Sequence, residues 1–410
     1  MAWTRSARRL VLLLALAASL LFPAAAWASL SSGLKRQMRT AGPYSGALVV
    51  DADSGQTLFS WKPGTPRVLA SNTKLFTTAA ALARFGVDGT LSTQVLADSQ
   101  MNANGVLQGD LWLRGGGDPA FGTLAYVRKH YGPRAASVEH LVDRVSELGL
   151  TAVRGGVHGD ESSFDTIRGV RDSGYRTSPW VGPLSALIVN HGYDGRRFQS
   201  NPATFAADVF RRTLKADGIS PGHAAAREGA PPDARVLATI ESPPMATLVR
   251  LTNKDSDNFF AETLLKDIAQ DASGRGTTSA GGKAVRSFAA SLGARVQVVD
   301  GSGLDRGDRA APRDVVRLLM AERARPEFRA LYNSLAIAGV DGTIHDRMRT
   351  GPAKRNCRAK TGSLIGVSAL SGYCTTVSGR QVAFSFLMNG ISTTYARRLQ
   401  DRMAQAIAGS

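Results

Sequence analysis

Hydrophobic and polar positions along the amino-terminal part of the chain alternate first as strands and then repeat as a helix. Residues 45–51 alternate as a strand does, and residues 56–62 predict the returning strand after the turn at Asp53-Ser54-Gly55. An alanine- and leucine-rich stretch, 75–85, predicts a helix that ends at Gly86. This part of the chain therefore combines strands with a helix.

The middle of the chain has a different texture. Short β-type runs separated by glycine-rich turns are predicted at 91–97, 109–114 and 156–159, with one helix at 136–148. Gly115-Gly116-Gly117 predicts a turn and not a phosphate loop, because no Gly-Lys-Ser/Thr follows it and Pro119 stops a helix there. Residues 91–241 are therefore predicted to form a β-rich inserted domain.

Helical periodicity returns after Ser242-Pro243-Pro244. The predicted helices are 245–253, 259–268, 312–324 and 394–407, and the predicted strands are 358–361, 369–375 and 381–388. Two amino-terminal and three carboxy-terminal strands would form one five-stranded antiparallel sheet covered by helices. We therefore predict an α+β fold whose main domain is divided between residues 29–90 and 242–410, with residues 91–241 inserted.

The first 28 residues predict export. Arg5, Arg8 and Arg9 precede an apolar run at 10–22, and Ala26-Trp27-Ala28 is a small-x-small cleavage site, so the mature chain is expected to begin at Ser29. The apolar run is short for a membrane span, and no later stretch is longer and equally apolar. We expect a protein of the periplasm or cell wall without a transmembrane span after cleavage; an uncleaved signal anchor is the alternative.

Charge and length refine this picture. Cleavage would leave 382 of the 410 residues, which suggests more than one domain, and would lower the formal charge of +17 by three, to +14. Anionic cell-wall polymer is the partner that a basic exported protein would attract, although a merely solvated basic surface fits the charge equally. No dense Lys/Arg block with interleaved aromatic residues predicts nucleic-acid binding.

The two cysteines, Cys357 and Cys374, flank the predicted hairpin that turns near Ile365 and Gly366. They are almost equally far from the turn, so the hairpin would place them opposite each other. We predict a cross-strand disulfide, which export permits; two buried free thiols are the alternative.

Three short motifs carry the candidate chemistry: Ser71-Asn72-Thr73-Lys74, Ser256-Asp257-Asn258 and Lys360-Thr361-Gly362. Each alone is weak evidence, because a helix start, an N-cap and a strand end explain them equally well. In this order they supply a nucleophile, two lysines and polar bridging groups, which acyl transfer through a serine ester requires.

The first motif predicts the nucleophile and its base. Ser71 and Lys74 lie one helical turn apart on one face, and the helix amino terminus adds positive potential. Lys74 must be neutral for part of the cycle to accept the Ser71 proton, and burial together with the nearby cation of Lys360 would lower its pKa. We therefore predict Ser71 as the nucleophile and Lys74 as the base.

The other motifs predict proton relay and substrate binding. Ser256 could pass a proton to the leaving amine, and Asn258 could hold both the base and a substrate amide. Lys360 and Thr361 could bind an anionic substrate group, while Gly362 lets the substrate backbone lie against the strand edge. The backbone N–H groups of Ser71 and Ser363 are the predicted oxyanion hole.

Other catalytic chemistry has little support in the sequence. None of the six histidines lies in His-Glu-x-x-His or another metal-binding spacing, so we predict no metal and no cofactor. No Gly-x-Ser-x-Gly stands out, and Gly301-Ser302-Gly303, the nearest imitation, is interpreted as a turn.

The three motifs resemble those of the penicillin-recognising serine transferases and hydrolases. Longer stretches look like the D-alanyl-D-alanine carboxypeptidase/endopeptidase family, the class C low-molecular-mass penicillin-binding proteins. These stretches are 113–121 (LRGGGDPAF), 159–165 (GDESSFD), 182–190 (GPLSALIVN), 253–262 (NKDSDNFFAE), 300–304 (DGSGL) and 358–366 (RAKTGSLIG). The resemblance extends over nearly the whole mature chain and implies a penicillin-binding, transpeptidase-like domain with an insert between the first two motifs.

The resemblance implies hydrolysis of the terminal D-Ala-D-Ala bond of peptidoglycan stem peptides through an acyl-enzyme on Ser71. It also implies β-lactam antibiotics as acylating inhibitors and endopeptidase cleavage of cross-links as a second activity. Asp160 and Arg347 fall in segments that resemble the family's pocket for the substrate side chain, where Asp160 would bind a free amine. Structural salt bridges are the alternative role for both residues.

Two rival functions remain open from the sequence. A serine β-lactamase would need fast deacylation, and no Glu-x-x-Leu-Asn base loop is evident; nitrocefin turnover would distinguish it. A non-catalytic penicillin- or cell-wall-binding module would keep its ester and release no D-alanine.

Overall fold

A computed structural model describes residues 30–132, 135–270 and 275–410. The predicted leader and its cleavage site lie outside these residues. In the part of the chain that is described, no helix combines the length and apolar character needed to cross a bilayer.

Helices and strands alternate along the whole described chain. The helices are α1 (30–40), α2 (Thr73–Phe85), α3 (Leu124–His130), α4 (Val138–Glu147), α5 (Pro202–Ala216), α6 (Met245–Lys254), α7 (Asn258–Ile268), α8 (Thr278–Ser291), α9 (Pro312–Glu322), α10 (Phe328–Ser334) and α11 (Thr393–Ala408). The strands are β1 (Gly46–Asp51), β2 (Thr57–Trp61), β3 (Arg67–Val68), β4 (Ser92–Ala97), β5 (Val106–Leu107), β6 (Leu111–Gly115), β7 (Ala152–Val153), β8 (Gly156–Asp160), β9 (His223–Arg227), β10 (Arg235–Glu241), β11 (Val296–Gln297), β12 (Arg309–Ala310), β13 (Ala336–Ile337), β14 (Cys357–Leu364), β15 (Val367–Thr375) and β16 (Gln381–Asn389).

The largest sheet is built from both ends of the chain. Its order is β13-β14-β15-β16-β1-β2, and every pairing in it is antiparallel. It contains the five predicted strands and one more, β13, whose two residues pair with Ala359 and Arg358. A strand of two residues has no alternation to detect, which is why the sequence predicted five strands.

Helices cover both faces of this sheet. On one face, Phe384 and Phe386 of β16 pack in a core shared with α1 and α11. On the other face, Ala383 and Leu387 pack in a core shared with α2, α6, α7, α8 and α9. The alternation along β16 therefore directs successive side chains into two separate cores. The second core fixes α2 and α7, which carry the first two motifs.

A second sheet, of order β10-β4-β6-β8-β9, lies within residues 92–241. It pairs β6 with β8 and β8 with β9 in parallel, and such pairs need long crossovers, which contain α3 to α5. Leu111 and Val157 of the sheet pack with Leu141 of α4 and Phe210 of α5. The region is thus mixed in structure; its domain boundaries, 91 and 241, remain a prediction.

A disulfide joins Cys357 and Cys374, which face each other in the register of β14 and β15. Both residues are buried under α11 in the first core. The bond lies at the far end of β14 from the hairpin turn, three residues before Lys360.

Candidate active site

Ser71 lies in a tight turn between β3 and α2. A 3₁₀ turn covers Ala70–Asn72, and α2 begins at Thr73. Ala70 has φ of 47°, a left-handed conformation that costs a non-glycine residue about 1–2 kcal/mol. This conformation turns the chain sharply from strand to helix, so that Ser71 lines the cleft while Lys74 enters the interior.

Lys74 is fully buried, and its three N–H donors all have acceptors. Nζ lies 3.1 Å from Ser71 Oγ, 2.7 Å from Asn258 Oδ1 and 2.8 Å from the Ser302 carbonyl. Burial lowers the pKa of Lys74 from 10.5 to about 8, although nearby carboxylates act in the opposite direction. A neutral Lys74 would keep two of these bonds as donor and turn its lone pair to Ser71.

The second motif lies between α6 and α7. Ser256 adopts φ of 59°, and Asp257 caps α7 by accepting a hydrogen bond from the Phe260 N–H at 2.9 Å. Asp257 therefore caps the helix, while Ser256 and Asn258 on either side of it remain available for catalytic roles. Asn258 binds Lys74 and donates from Nδ2 to the Trp180 carbonyl at 3.0 Å.

Lys360 lies on β14 and is also fully buried. Its Nζ donates to Ser256 Oγ at 2.8 Å and to the Thr361 carbonyl at 3.0 Å. Burial, and after it the positive charge of Lys74, holds the pKa of Lys360 well below its usual value. Asn72 donates to the Lys360 carbonyl at 2.9 Å, which ties the Ser71 turn to the strand.

Strand β14 passes against the backbone of the Ser71 turn at Gly362. A Cβ atom on Gly362 would lie 2.6 Å from the Leu69 carbonyl and 3.1 Å from the Ser71 nitrogen. Only glycine allows this approach of the strand to the backbone of Ser71, and Ser363 directly follows Gly362 on β14. Thr361 Oγ1 donates to Thr343 Oγ1 at 2.8 Å.

The motifs meet in one cleft of about 950 Å³. Ser71, Ser256, Asn258, Thr361 and Ser363 line it, while Lys74 and Lys360 lie beneath its floor. The structure therefore brings together three distant segments of the chain: Ser71 and Ser256 are 185 residues apart, and Ser256 and Lys360 are 104 residues apart.

Asp160 is the predicted site residue that the structure places elsewhere. It is fully buried at the end of β8, where it pairs with Arg114 Nε at 2.7 Å and accepts hydrogen bonds from the Ser162 and Ala230 N–H groups. Burial alone would raise its pKa, but the bonds from Ser162 and Arg114 hold it below the usual value. Asp160 does not line the cleft; of the two roles considered from the sequence, the structure displays the salt bridge, and binding of a substrate amine stays a prediction.

Arg347 does line the cleft, and its guanidinium is paired. Nη2 lies 2.7 Å and Nε 2.9 Å from Asp401 Oδ1. Of the two roles considered from the sequence, the salt bridge is the one that the structure displays. Asp172 is the aspartate from the middle of the chain that lines the cleft in place of Asp160.

Several groups in the site could not be found from the motifs. The carbonyl groups of Ser302 and Trp180 are backbone acceptors, which have no sequence signature. Arg397 of α11 donates from Nη2 to Ser363 Oγ at 3.0 Å and lines the cleft with Arg398. In the sequence, Arg397 lies on the predicted terminal helix, which follows the predicted hairpin strands. This order suggests that the helix packs near the hairpin, but it indicates no role for Arg397.

The arrangement can perform covalent catalysis. A serine hydroxyl lies within hydrogen-bond distance of a buried amine with a pKa of about 8, close to the pH at which a base is both free and strong enough. A second serine hydroxyl binds a second ammonium. Among the described residues, no group of three or more His, Cys, Asp or Glu side chains could hold a metal ion.

Comparisons with known proteins agree on one family. The sequence model of the D-Ala-D-Ala carboxypeptidase 3 (S13) family matches residues 28–199 and 195–409. A D-alanyl-D-alanine carboxypeptidase of Actinomadura sp. (strain R39) is 30% identical over 452 residues, covering 90% of this chain and 81% of that protein.

Solved structures share the fold. Penicillin binding protein 4 from Haemophilus influenzae has a TM-score of 0.74 and 22% identity, over 90% of this chain and 97% of that one. A predatory endopeptidase from Bdellovibrio bacteriovorus has a TM-score of 0.58 and 17% identity, over 89% of this chain and 93% of that one. The predicted α+β fold, with one antiparallel sheet and an additional domain, is confirmed by these likenesses.

Proposed function

The chain belongs to the D-Ala-D-Ala carboxypeptidase 3 (S13) family, and from that premise we propose how its residues perform the reaction. The protein is a serine-type D-Ala-D-Ala carboxypeptidase, a hydrolase of peptidoglycan stem peptides. The family resemblance inferred from the motifs is confirmed. The observation that carries the residue assignment is the 3.1 Å contact between Ser71 Oγ and the buried Nζ of Lys74.

Acylation begins with proton transfer from Ser71 to neutral Lys74. The Ser71 oxygen then bonds to the carbonyl carbon of the penultimate D-alanine, and the carbonyl oxygen becomes an oxyanion. We assign the stabilisation of this charge to the N–H groups of Ser71 and Ser363, because Gly362 packs against the Ser71 backbone and Ser363 directly follows it on β14. Asn258 keeps Lys74 in place throughout.

Departure of the terminal D-alanine requires a proton on its nitrogen. Ser256 is the proposed donor, since its hydroxyl is bound to the ammonium of Lys360, which can replace the proton that Ser256 gives away. The C–N bond breaks, D-alanine leaves, and an ester remains on Ser71. Proton exchange with solvent then restores the ammonium of Lys360 and returns Lys74 to its neutral form. Water attacks the ester carbonyl carbon while Lys74 accepts the water proton, and this proton passes to the Ser71 oxygen as the acyl C–O bond breaks.

Thr361, Ser363 and Arg397 support recognition of the substrate's free carboxylate. The two hydroxyls line the cleft, and the guanidinium of Arg397 contacts one of them. A D-Ala-diaminopimelate cross-link has a free carboxylate on the same side of its scissile bond. We therefore propose D,D-endopeptidase cleavage as a second activity of the same site. Arg347 remains a proposed part of the cleft wall through its bridge to Asp401.

A β-lactam would react as the substrate does, by acylating Ser71. We further propose that the protein acts in the periplasm or cell wall, where its substrate is found. The basic net charge and the predicted leader support that location.

Labelling with a fluorescent penicillin, run beside D-alanine release from a D-Ala-D-Ala peptide, tests the proposal. The wild-type protein should take up one label per chain and release D-alanine, and Ser71→Ala should do neither. Labelling of the Ser71→Ala protein would refute the assignment of Ser71 as the nucleophile. Rapid nitrocefin turnover would indicate the β-lactamase alternative, and a permanent label without D-alanine release would indicate a binding module.

A further inference from the structure

Three buried carboxylates hold the loop that supplies one of the acceptors of Lys74. This loop, residues 299–308, runs between β11 and β12. The carboxylates accept hydrogen bonds from six backbone N–H groups of the loop. Asp308 accepts from the N–H groups of Val299 at 2.6 Å and Asp300 at 3.3 Å, and Glu262 accepts from those of Gly301 at 3.0 Å and Ser302 at 2.8 Å. The Asp300 carboxylate accepts from the N–H groups of Gly303 at 2.6 Å and Asp305 at 2.8 Å.

The 299–308 loop packs against the segment that carries the nucleophile and the base. The Ser302 carbonyl accepts from Lys74, and the Gly301 carbonyl accepts from Thr77 Oγ1 at 2.9 Å. At Gly303, with φ of 86°, a Cβ atom would lie 1.9 Å from the Ala70 carbonyl. The segment interpreted from sequence as a simple turn is therefore part of the wall that positions Lys74.

Glu262 connects this loop to the second motif. It lies one turn after Asn258 on α7, is fully buried, and uses one oxygen for each of two loop N–H groups. Helix α7 thus controls two of the three acceptors of Lys74. Asn258 supplies one directly, and Glu262 places the Ser302 carbonyl that supplies another.

We propose that Glu262 is a positioning residue for acylation: it fixes the Ser302 carbonyl on Lys74 and, when ionised, places a negative charge near that ammonium. The inference rests on the proposed roles of Ser71 and Lys74 and adds a residue that none of the three motifs includes. Glu262 touches neither the nucleophile nor the cleft, so its effect on the reaction passes through Lys74.

The charges around Lys74 decide the sign of the expected effect. Glu262 faces it from α7 and Asp257 from the N-cap of that helix. Asp300 and Asp308 face it from the 299–308 loop, and Lys360 faces it from β14. The four carboxylates raise the pKa of Lys74 against the larger effect of burial, and Glu262 contributes most among them. Ionised Glu262 therefore opposes proton loss from Lys74, and a side chain at position 262 that is neutral at every pH should let neutral Lys74 form at lower pH.

Glu262 itself titrates in the same range. Burial and the nearby Asp300 raise its pKa to about 8, while the N–H groups of Gly301 and Ser302 act in the opposite direction. Proton loss from Lys74 and from Glu262 is therefore one linked process in the wild-type protein. A neutral side chain at position 262 should leave a single, simpler ionisation.

The experiment compares Glu262→Gln with Glu262→Asp. The rate constant for acylation by a fluorescent penicillin is measured from about pH 6 to pH 9, where neutral Lys74 forms. Glutamine offers one acceptor oxygen for two N–H groups, so we expect the maximal rate to fall about 10-fold. We also expect the acid limb of the profile to move to lower pH by about one unit. Aspartate keeps the charge but is shorter, so its limb should stay near the wild-type position while the maximal rate falls.

Glu322→Gln is the matched control. Glu322 is also a fully buried glutamate on a helix, α9, but it does not line the cleft or face Lys74. Its substitution should leave both the maximal rate and the acid limb unchanged once folding is confirmed by a melting curve.

An acid limb in Glu262→Gln that stays at the wild-type pH would overturn the inference, whatever happens to the melting temperature. If that variant does not fold, a Glu262→Asp protein with an unreduced maximal rate would overturn it instead. Failure of the proposed function would give a result distinct from failure of the Glu262 inference. In that case fluorescent penicillin would still label Ser71→Ala, or it would not label the wild-type protein.

Discussion

The ionisation of Lys74 should control how fast the protein reacts with a β-lactam. Ser71 can be activated only when Lys74 is neutral, and burial lowers the pKa of that side chain from 10.5 to about 8. The sign follows directly: raising the pH towards the pKa removes the proton and creates the base. The rate constant for acylation should therefore rise between pH 6 and pH 8 and level off above the pKa.

The size of the rise follows from the pKa of about 8. About 1% of Lys74 is neutral at pH 6, about 9% at pH 7 and about half at pH 8. Acylation should thus be about 50-fold faster at pH 8 than at pH 6. A solvated lysine with the ordinary pKa of 10.5 would still be more than 99% charged at pH 8, so its profile would continue to rise steeply above that pH.

Stopped reactions with a fluorescent penicillin, separated by gel and quantified as labelled protein, measure this profile. The control is Lys74→Arg, which keeps a cation but cannot lose its proton, and should be labelled at least about 100-fold more slowly at every pH. A wild-type rate that is constant from pH 6 to pH 8, or labelling of Lys74→Arg at the wild-type rate, would refute Lys74 as the base.

Three further predictions concern other parts of the site and its support. Asn258→Ala removes one acceptor of the catalytic ammonium and should slow penicillin acylation about 10- to 100-fold, without a matching fall in melting temperature. Arg397→Ala should raise KM about 10-fold for a D-Ala-D-Ala peptide but not for the same peptide with a C-terminal amide. Arg398→Ala, on the same cleft wall, should leave the ratio of these two KM values unchanged. Equal effects of Arg397→Ala on the acid and the amide would contradict carboxylate recognition. Replacing Cys357 and Cys374 with alanine should lower the free energy of unfolding, measured in urea, by about 3 kcal/mol, because the disulfide closes a loop between residues 17 positions apart. Reduced wild-type protein should lose the same free energy. An unchanged free energy of unfolding would argue against a structural role for the disulfide.

Features that depend on local sequence could be predicted well. The helix predicted at 75–85 is α2, Thr73–Phe85, and the one predicted at 394–407 is α11, Thr393–Ala408. Strong apolar periodicity and clear end signals define both of them. The three motifs were also visible, because each is a contiguous string whose residue types suit one chemistry.

Other elements escaped prediction for physical reasons. Helix α8 contains Gly281 and Gly282, which lower its intrinsic helix propensity, so tertiary packing decides its conformation. Helix α5 lies in a region whose glycine-rich turns and short apolar runs suggested strands and a single helix, at 136–148. The resemblance allowed Asp160 either a role in the substrate pocket or a structural salt bridge, and the sequence alone did not show that Arg114 would lie next to it. Backbone acceptors such as the Ser302 carbonyl have no sequence signal.

The presence of two buried lysines raises the question of which one activates the nucleophile, and the contacts separate their roles. Lys74 Nζ reaches Ser71 Oγ, whereas Lys360 Nζ reaches Ser256 Oγ. The leaving amine of D-alanine must gain a proton as the C–N bond breaks, so an acid has to lie within reach of it. Burial and the charge of Lys74 lower the pKa of Lys360, which makes its ammonium a stronger acid than that of an exposed lysine. Burial thus prepares one lysine to accept the Ser71 proton and the other to supply, through Ser256, the proton that the leaving group needs.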